Sequence, residues 1–506
     1  MGKRKRAAED NALRSKIVLN GTSHATKKAK QGNRPPVALQ IIAGTYERVL
    51  HGVSATIPRD QDGSASATLG VDFADTFLFN AHASAIRCLA LSPPTKSDKV
   101  ILASGSSDQT INIYHISANR VSQKMGQGHS LPTIGGRNIV ENPRNRELGS
   151  LQHHAASVNA LKFPTRAKLL SAADDCTIGV ARTRDWTVLS SIKVPIPKAQ
   201  GRPSGDTAPL GGTPAGINDF AIHPSLKLML SVSKGERCMR LWNLVTGKKA
   251  GVLNFDRNLL QAVGEGRWGR GEGYKVEWNI QGEEFVVSFE KAAVVFGLDS
   301  NPKGIIKTSP PSKIHQIHYI DLGVLESRNT NLLAISTEDG RVIFFSADSK
   351  AIPDPTSQVP VWPAIGQIGG GVESFGSRIK DFEYLRVQSE QDPARAPLIV
   401  TGSSNGIISV WKLDSLLNSG KLHPSGHVAD ATSTNGERID QRTSEKIPSI
   451  GQLLGKYETG NRITCLKAFV LAEMSDVEDG DSPIAENSVE TNGSARVASD
   501  GSSDGA

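Results

Sequence analysis

A short unit recurs seven times along this chain: an acidic or amide residue in a turn and, six residues later, an aromatic or apolar residue ending a strand-like run. The clearest copies run from Asp108 to Tyr114 (DQTINIY), Glu236 to Trp242 (ERCMRLW), Asp339 to Phe345 (DGRVIFF) and Asn405 to Trp411 (NGIISVW). Weaker copies run from Glu47 to Val53, Asp175 to Ala181 and Glu290 to Phe296. A repeat constrains the fold more than any local propensity, because every copy must bury the same face against its neighbours.

Small and apolar residues precede each turn, as in VILASGSSD at 100–108 and PLIVTGSSN at 397–405. Such runs, bounded by Gly, Ser, Asn or Asp, predict strands joined by tight turns. Asp and Asn suit the turn because their side chains bond to nearby backbone N–H groups. Each unit is therefore a hairpin. Upstream lies a further strand, opened by His82 before IRCLALSP, by His154 before VNALKFP, or directly by Ile217 and Ile379. Downstream lies a fourth, as in LGSLQHH at 148–154, TVLSSIKV at 187–194 and KKAGVLNF at 248–255. Four strands per repeat, with Trp closing the third, is the blade of a WD-repeat propeller. The expected fold is an all-β, seven-bladed WD-repeat β-propeller.

The two ends complete one blade. The first hairpin, around LQIIAGTYERVLHGV, lacks an opening strand, and NRITCLKAFVL at 461–471 is an opening strand without a hairpin. Residues 462–471 are expected to pair with 39–46, closing the ring and removing two exposed sheet edges. The organisation is then a basic arm at 1–37, a propeller at 38–472 and an acidic tail at 473–506.

Seven blades need about 300 residues, and the span 38–472 holds 435. The excess falls in insertions at 117–147, 196–215, 256–272, 347–375 and 414–450, rich in Gly, Pro, Ser and charge and expected as surface loops. The net charge of +7 conceals an asymmetry. Residues 1–34 hold ten Lys or Arg against Glu9 and Asp10, whereas 473–506 hold nine Asp or Glu against Arg496. Both ends lack the apolar density needed to offset ordering entropy. Lys3, Arg4, Lys5 and Arg6, with Lys27, Lys28 and Lys30, form two basic clusters that suggest nuclear import, with attraction to RNA phosphates. The four cysteines (Cys88, Cys176, Cys238, Cys465) form no CxxC pair, which speaks against a zinc site or a disulfide framework. No secretory or membrane-spanning stretch is expected.

Motifs that suggest chemistry lose it in context. Gly264-Glu-Gly266-Arg-Trp-Gly269 matches GxGxxG but leads into a strand, where a dinucleotide site needs a helix. GSSNG at 402–406 matches a nucleophile elbow but is followed by the strand IISVWKL. His82 and His154 hold matching blade positions and are expected to be structural, as are Trp242 and Trp411. His315 and His318, three apart in a strand, are expected on opposite faces. No catalytic set, metal site or cofactor site is expected.

AGTYERVLHG at 43–52 resembles the opening of one WD-repeat family, and DFADTFLFNAHASAIRCLAL at 72–91 resembles its second segment. ASGSSDQTINIYHI carries Tyr114 where most WD repeats have Trp, as that family does. GSLQHHAASVNALKF, RDWTVLSSIK, FAIHPSLKLMLSVSKGERCMRLWNLVTGK, YKVEWNIQGEEFVV, TGSSNGIISVWKL and NRITCLKAF follow in order. The chain thus resembles the PAK-interacting-protein-like family, whose fungal members are the Mak-eleven type, over about residues 38–471. The resemblance implies a non-enzymatic nucleolar scaffold for assembly of the large (60S) ribosomal subunit and rRNA maturation, with ribosomal proteins and assembly factors as partners and indirect or weak rRNA contact. It also leaves open a negative regulator of a PAK-type kinase, or an adaptor in another nuclear complex. Animal members tend to end in a Lys-rich tail, whereas this chain ends acidic.

Overall fold

The structure, a computed structural model, describes residues 36–58, 70–95, 99–120, 142–197, 215–266, 269–325, 328–346, 359–370, 377–387, 397–413 and 447–472. Among them, the strands form seven four-stranded antiparallel sheets. Blade 1 joins Ile463–Val470 to Val37–Thr45, Val49–Ile57 and Asp72–Asn80. Blade 2 is Ile86–Leu91, Lys99–Ser106, Ile111–Ser117 and Arg146–Leu151. Blade 3 is Val158–Thr165, Lys168–Ala173, Thr177–Arg182 and Val188–Lys193. Blade 4 is Ile217–Ile222, Leu228–Ser233, Cys238–Asn243 and Lys248–Asn254. Blade 5 is Lys275–Trp278, Glu284–Ser288, Ala292–Gly297 and Pro302–Lys307. Blade 6 is Ile314–Leu325, Arg328–Thr337, Arg341–Ser346 and Ala364–Gly369. Blade 7 is Ile379–Leu385, Leu398–Ser403, Ile407–Leu413 and Gly451–Glu458.

Burial falls from the middle of each blade outward. Leu398–Ser403 is buried along its whole length, whereas Val188–Lys193 buries only Ile192. This follows from packing on both faces in the middle of a blade and solvent at its rim, where charged residues such as Lys248 and Lys249 also discourage pairing with other chains.

The ring closes where the two orphan strands were expected to meet. Ile463–Val470 pairs antiparallel with Val37–Thr45, in register from Leu39 opposite Val470 to Gly44 opposite Cys465, and slips by one residue before Thr45 meets Ile463. Tyr46 N–H donates to the Arg462 carbonyl at 2.8 Å, and Leu471 N–H to that of Ala38 at 2.9 Å. Leu39, Ile41, Val400, Ile408 and Leu466 then share one core between blades 7 and 1. At the rim of the same seam, Asp75 of blade 1 sits 2.6 Å from His51 Nε2 and accepts from the Tyr457 hydroxyl of blade 7.

Two insertions hold structure that loop-like composition concealed. Residues 256–272 include a helix, Arg257–Ala262, whose Leu260 and Ala262 join Val263 in the core between blades 4 and 5. The GxGxxG match lies after this helix, and Glu265 there is buried, accepting from Gly271 N–H and Glu290 N–H, each at 3.2 Å. The insertion at 347–375 contains the fourth strand of blade 6, Ala364–Gly369, preceded by the buried Trp362. GSSNG is a hairpin turn, with Gly406 at φ 87° between the second and third strands of blade 7.

Candidate functional site

The repeated turn residue anchors the loop that opens its own blade. Asp108 accepts from Ala83 N–H at 2.9 Å and from Thr110 N–H at 3.0 Å, and lies 3.1 Å from His82 Nδ1. His82 Nε2 reaches Ser104 Oγ at 2.8 Å. Blade 3 repeats the arrangement: Asp175 accepts from Ala155 N–H at 3.0 Å and meets His154 Nδ1 at 3.0 Å, while His154 Nε2 meets Ser171 Oγ at 2.8 Å. In blade 1, Glu47 takes Arg462 N–H at 2.9 Å, so the same device spans the ring closure. These contacts leave the histidines and carboxylates occupied with structure.

The other copies vary the chemistry. Glu236 turns to Arg240, which donates from Nη2 at 2.6 Å, and Asp339 takes Arg341 Nε at 2.8 Å. Asn405 accepts from Ile407 N–H at 3.3 Å. Trp242 Nε1 donates to Ser231 Oγ at 2.8 Å, and Trp411 Nε1 to Thr401 Oγ1 at 3.2 Å. Tyr114, buried against Phe79, stands in the Trp position of blade 2; burial, then Glu147, pushes its hydroxyl up to about 12.

The innermost strands enclose an axial channel of about 1960 Å³. Six of them slip register at the second residue, at Arg87, Asn159, Asn218, His315, Lys380 and Thr464. A bulge adds one residue without a partner, so residues three apart then come to the same side. This corrects the expectation for His315 and His318, which both line the channel. Small residues at the bulge tie neighbouring blades: Asn159 Nδ2 donates to the Ile217 carbonyl at 2.9 Å, Asn218 Nδ2 to that of Gly273 at 2.8 Å, and Thr464 Oγ1 to that of Ile86 at 2.6 Å. The residue after the bulge does the same by accepting: Asp219 takes Val276 N–H at 3.2 Å and Asp381 takes Leu466 N–H at 2.9 Å.

Two levels of the channel differ in charge. Deeper in, charges are paired: His318 Nδ1 lies 3.1 Å from Glu277, and Lys467 pairs with Glu383. Burial pulls His318 down, but Glu277 outweighs it and the imidazole ends above its usual value. At the turn-bearing mouth, Lys275, His315 and Lys380 converge, with Lys380 Nζ 3.4 Å from His315 Nε2. Burial, then Lys380, Lys313, Arg378 and Lys275, depresses the His315 imidazole to about 3. Burial, then Arg378 and Arg462, lowers Lys380.

Sequence reasoning found the turn residues through their repetition but did not single out this mouth. Its signal was the residue after each opening Ile, Val or Tyr, spread over more than 370 positions of chain from Arg87 to Thr464. Lys3, Arg4, Lys5, Arg6, Lys27, Lys28 and Lys30 lie outside the described residues. Among the described residues, no group of His, Cys, Asp or Glu is arranged to hold a metal ion.

A closed ring of seven four-stranded sheets, with His–Asp ties between turn and opening loop, defines a WD-repeat β-propeller. The WD domain, G-beta repeat family matches residues 74–115 and 145–180. A p21-activated protein kinase-interacting protein 1-like protein of Gallus gallus is 24% identical over 434 residues, covering 85% of this chain and 80% of that protein. Protein MAK11 of Saccharomyces cerevisiae is 25% identical over 399 residues, 74% of this chain and 78% of that protein. Shk1 kinase-binding protein 15 of Schizosaccharomyces pombe is 25% identical over 316 residues, 62% and 71%. Over most of its length the chain is thus similar to PAK-interacting-protein-like WD-repeat proteins, the MAK11 type among them.

Proposed function

We propose that this protein is a non-enzymatic scaffold in nucleolar assembly of the large ribosomal subunit and maturation of its rRNA. The observation carrying this reading is the collinear resemblance to the MAK11 type across the propeller, from AGTYERVLHG to NRITCLKAF. Lys3–Arg6 and Lys27–Lys30 support delivery to the nucleus and nucleolus, where a regulator of a cytoplasmic kinase would not need them. The propeller suits the task because each blade packs on its neighbours, so loops facing partners can vary without loss of the core. Ribosomal proteins and assembly factors are the partners of this reading, with rRNA contact secondary.

A second reading is favoured by names. Relatives are named for interaction with p21-activated protein kinase and for binding Shk1 kinase. In that case the propeller occludes a kinase of this type. Affinity purification of the tagged protein at moderate salt separates the two. Recovery of large-subunit proteins with pre-rRNA is the expected result, and recovery of a kinase without rRNA rejects the scaffold.

A further inference from the structure

We propose that the turn-bearing mouth of the axial channel is a docking site for an acidic peptide segment of a partner protein. An arc running through blades 5, 6, 7, 1 and 2 lines the mouth with Lys275, His315, Lys380, Arg462 and Arg87, and Lys313 and Arg378 act on His315 from beside it. Among the described residues, only Arg378 of these has a carboxylate partner, Glu338 at 3.0 Å. Lys313 and Arg462 instead lie over the rings of Tyr274 and Tyr46, at 5.6 and 5.4 Å. Tyr46 is 59% exposed, leaving an aromatic face open beside the arc.

The arrangement is unfavourable to the fold by itself. Burial first, and then the neighbouring cations, lowers both Lys380 and His315, so like charges gathered at this half-buried site disfavour one another's charged forms. Elsewhere along the bulge ring, short side chains tie adjacent blades, as Asn159, Asn218 and Thr464 do. The long cations at the equivalent positions of blades 2 and 7 differ: Lys380 reaches the His315 ring of blade 6, at 3.4 Å, and Arg87 is exposed. An incoming anion would remove the mutual repulsion.

The geometry favours a narrow anion. Farther out on the same face lie the turn carboxylates Glu47, Asp108 and Asp175, each already bonded to the loop that opens a blade, so the unmatched positive charge is confined to the axis. An acidic peptide entering along the axis meets the cations first. Deeper in, His318 is already matched by Glu277 and Lys467 by Glu383, so the cluster of unmatched cations is at the mouth. The chain's own acidic stretch leaves after Ala472, which bridges Asn119 at the opposite rim. The proposal rests on the reading of this protein as a protein-binding scaffold, but not on its place in ribosome assembly. An in vitro peptide experiment therefore fails or succeeds independently of pre-ribosome recovery.

The test is fluorescence anisotropy on the full-length protein with a labelled twelve-residue Asp/Glu-rich peptide, its Asn/Gln counterpart and a single-stranded RNA of the same length. The acidic peptide should bind, more weakly as salt rises, and the neutral one should not. The double variant Lys275→Gln, Lys380→Gln should lose affinity at least tenfold while melting at an unchanged or higher temperature. Unaltered peptide affinity in that variant overturns the proposal. So does tighter binding of the RNA through the same two lysines. A more than tenfold gain on deleting residues 473–506 also overturns it, since the chain's own tail would then be the occupant.

Discussion

Gly44 and Cys465 face each other across the ring closure, and Cys465 Sγ occupies the space that a side chain on Gly44 would need. A Cβ there would stand 2.7 Å from Cys465 Sγ and 2.7 Å from Ile86 Cγ2. Burial, then Asp381, holds the Cys465 thiol up at about 12, so this sulfur is packing material and not a nucleophile. Gly44→Val should therefore push blade 1 away from blade 2 and destabilise the protein by about 1–3 kcal/mol, the usual range for overpacking. Gly70, with nothing within 4 Å of its position, is the control and should tolerate Val. Urea unfolding, read as a shift in midpoint at constant slope, measures both.

Removing the closing strand should be worse than disturbing it. Deletion of 461–506 strips the innermost strand from blade 1, exposes the edge of Val37–Thr45 and uncovers Leu39 and Ile41. Earlier melting and aggregation are expected in light scattering. Deletion of 473–506 alone should leave melting unchanged. If the two truncations melt alike, the C-terminal strand does not hold the ring.

Stability should fall in two stages as the solution is acidified. Burial, with cationic neighbours, depresses His315 to about 3, and burial, then His154, depresses His153 to about 4. An unfolded histidine titrates near about 6.5. Both groups thus favour the folded state above that value, and their contribution is lost as pH drops from about 6.5 toward 4 and 3. Burial raises the Asp108 and Asp175 carboxyls, but bonds to Thr110 and Ala83, and to His154, Thr177 and Ala155, outweigh it and hold both below the ordinary range. Their contribution is complete above about 4 and is lost below it. The double variant His153→Gln, His315→Gln should flatten the upper stage only, as read by chemical unfolding at stepped pH.

The two blade tryptophans should respond unequally to Phe. Trp242→Phe leaves the buried Ser231 hydroxyl without its 2.8 Å donor and should cost about 1–3 kcal/mol. Trp411→Phe removes a longer bond, 3.2 Å, from Thr401, whose hydroxyl also reaches the Ser409 carbonyl at 3.5 Å. The smaller loss is expected there, and comparison of the two unfolding midpoints checks the order.

Much of the fold was legible because strand and turn chemistry act over a few residues. Asp108 and Asp175 declare their turns within two residues, through Thr110 N–H and Thr177 N–H at 3.0 and 2.9 Å. The orphan strands at 39–46 and 462–471 could be matched because each lacked the half that the other supplied. The Arg257–Ala262 helix escaped notice because it is six residues long and its burial depends on blades 4 and 5. Ala364–Gly369 was hidden in the same way, since a strand with three polar or glycine positions is defined by its partner, Arg341–Ser346.

The sequence by itself determined the blade count and the ring closure, because both follow from short-range patterns repeated at intervals. Only the tertiary structure decided what faces the channel. A one-residue bulge reverses which side chains point inward, as it does for His315 and His318, and no local pattern announces it. The cationic mouth is likewise a property of the closed ring: Arg87, Lys275, Lys380 and Arg462 are far apart in the chain and repel one another only once seven blades bring them to one axis.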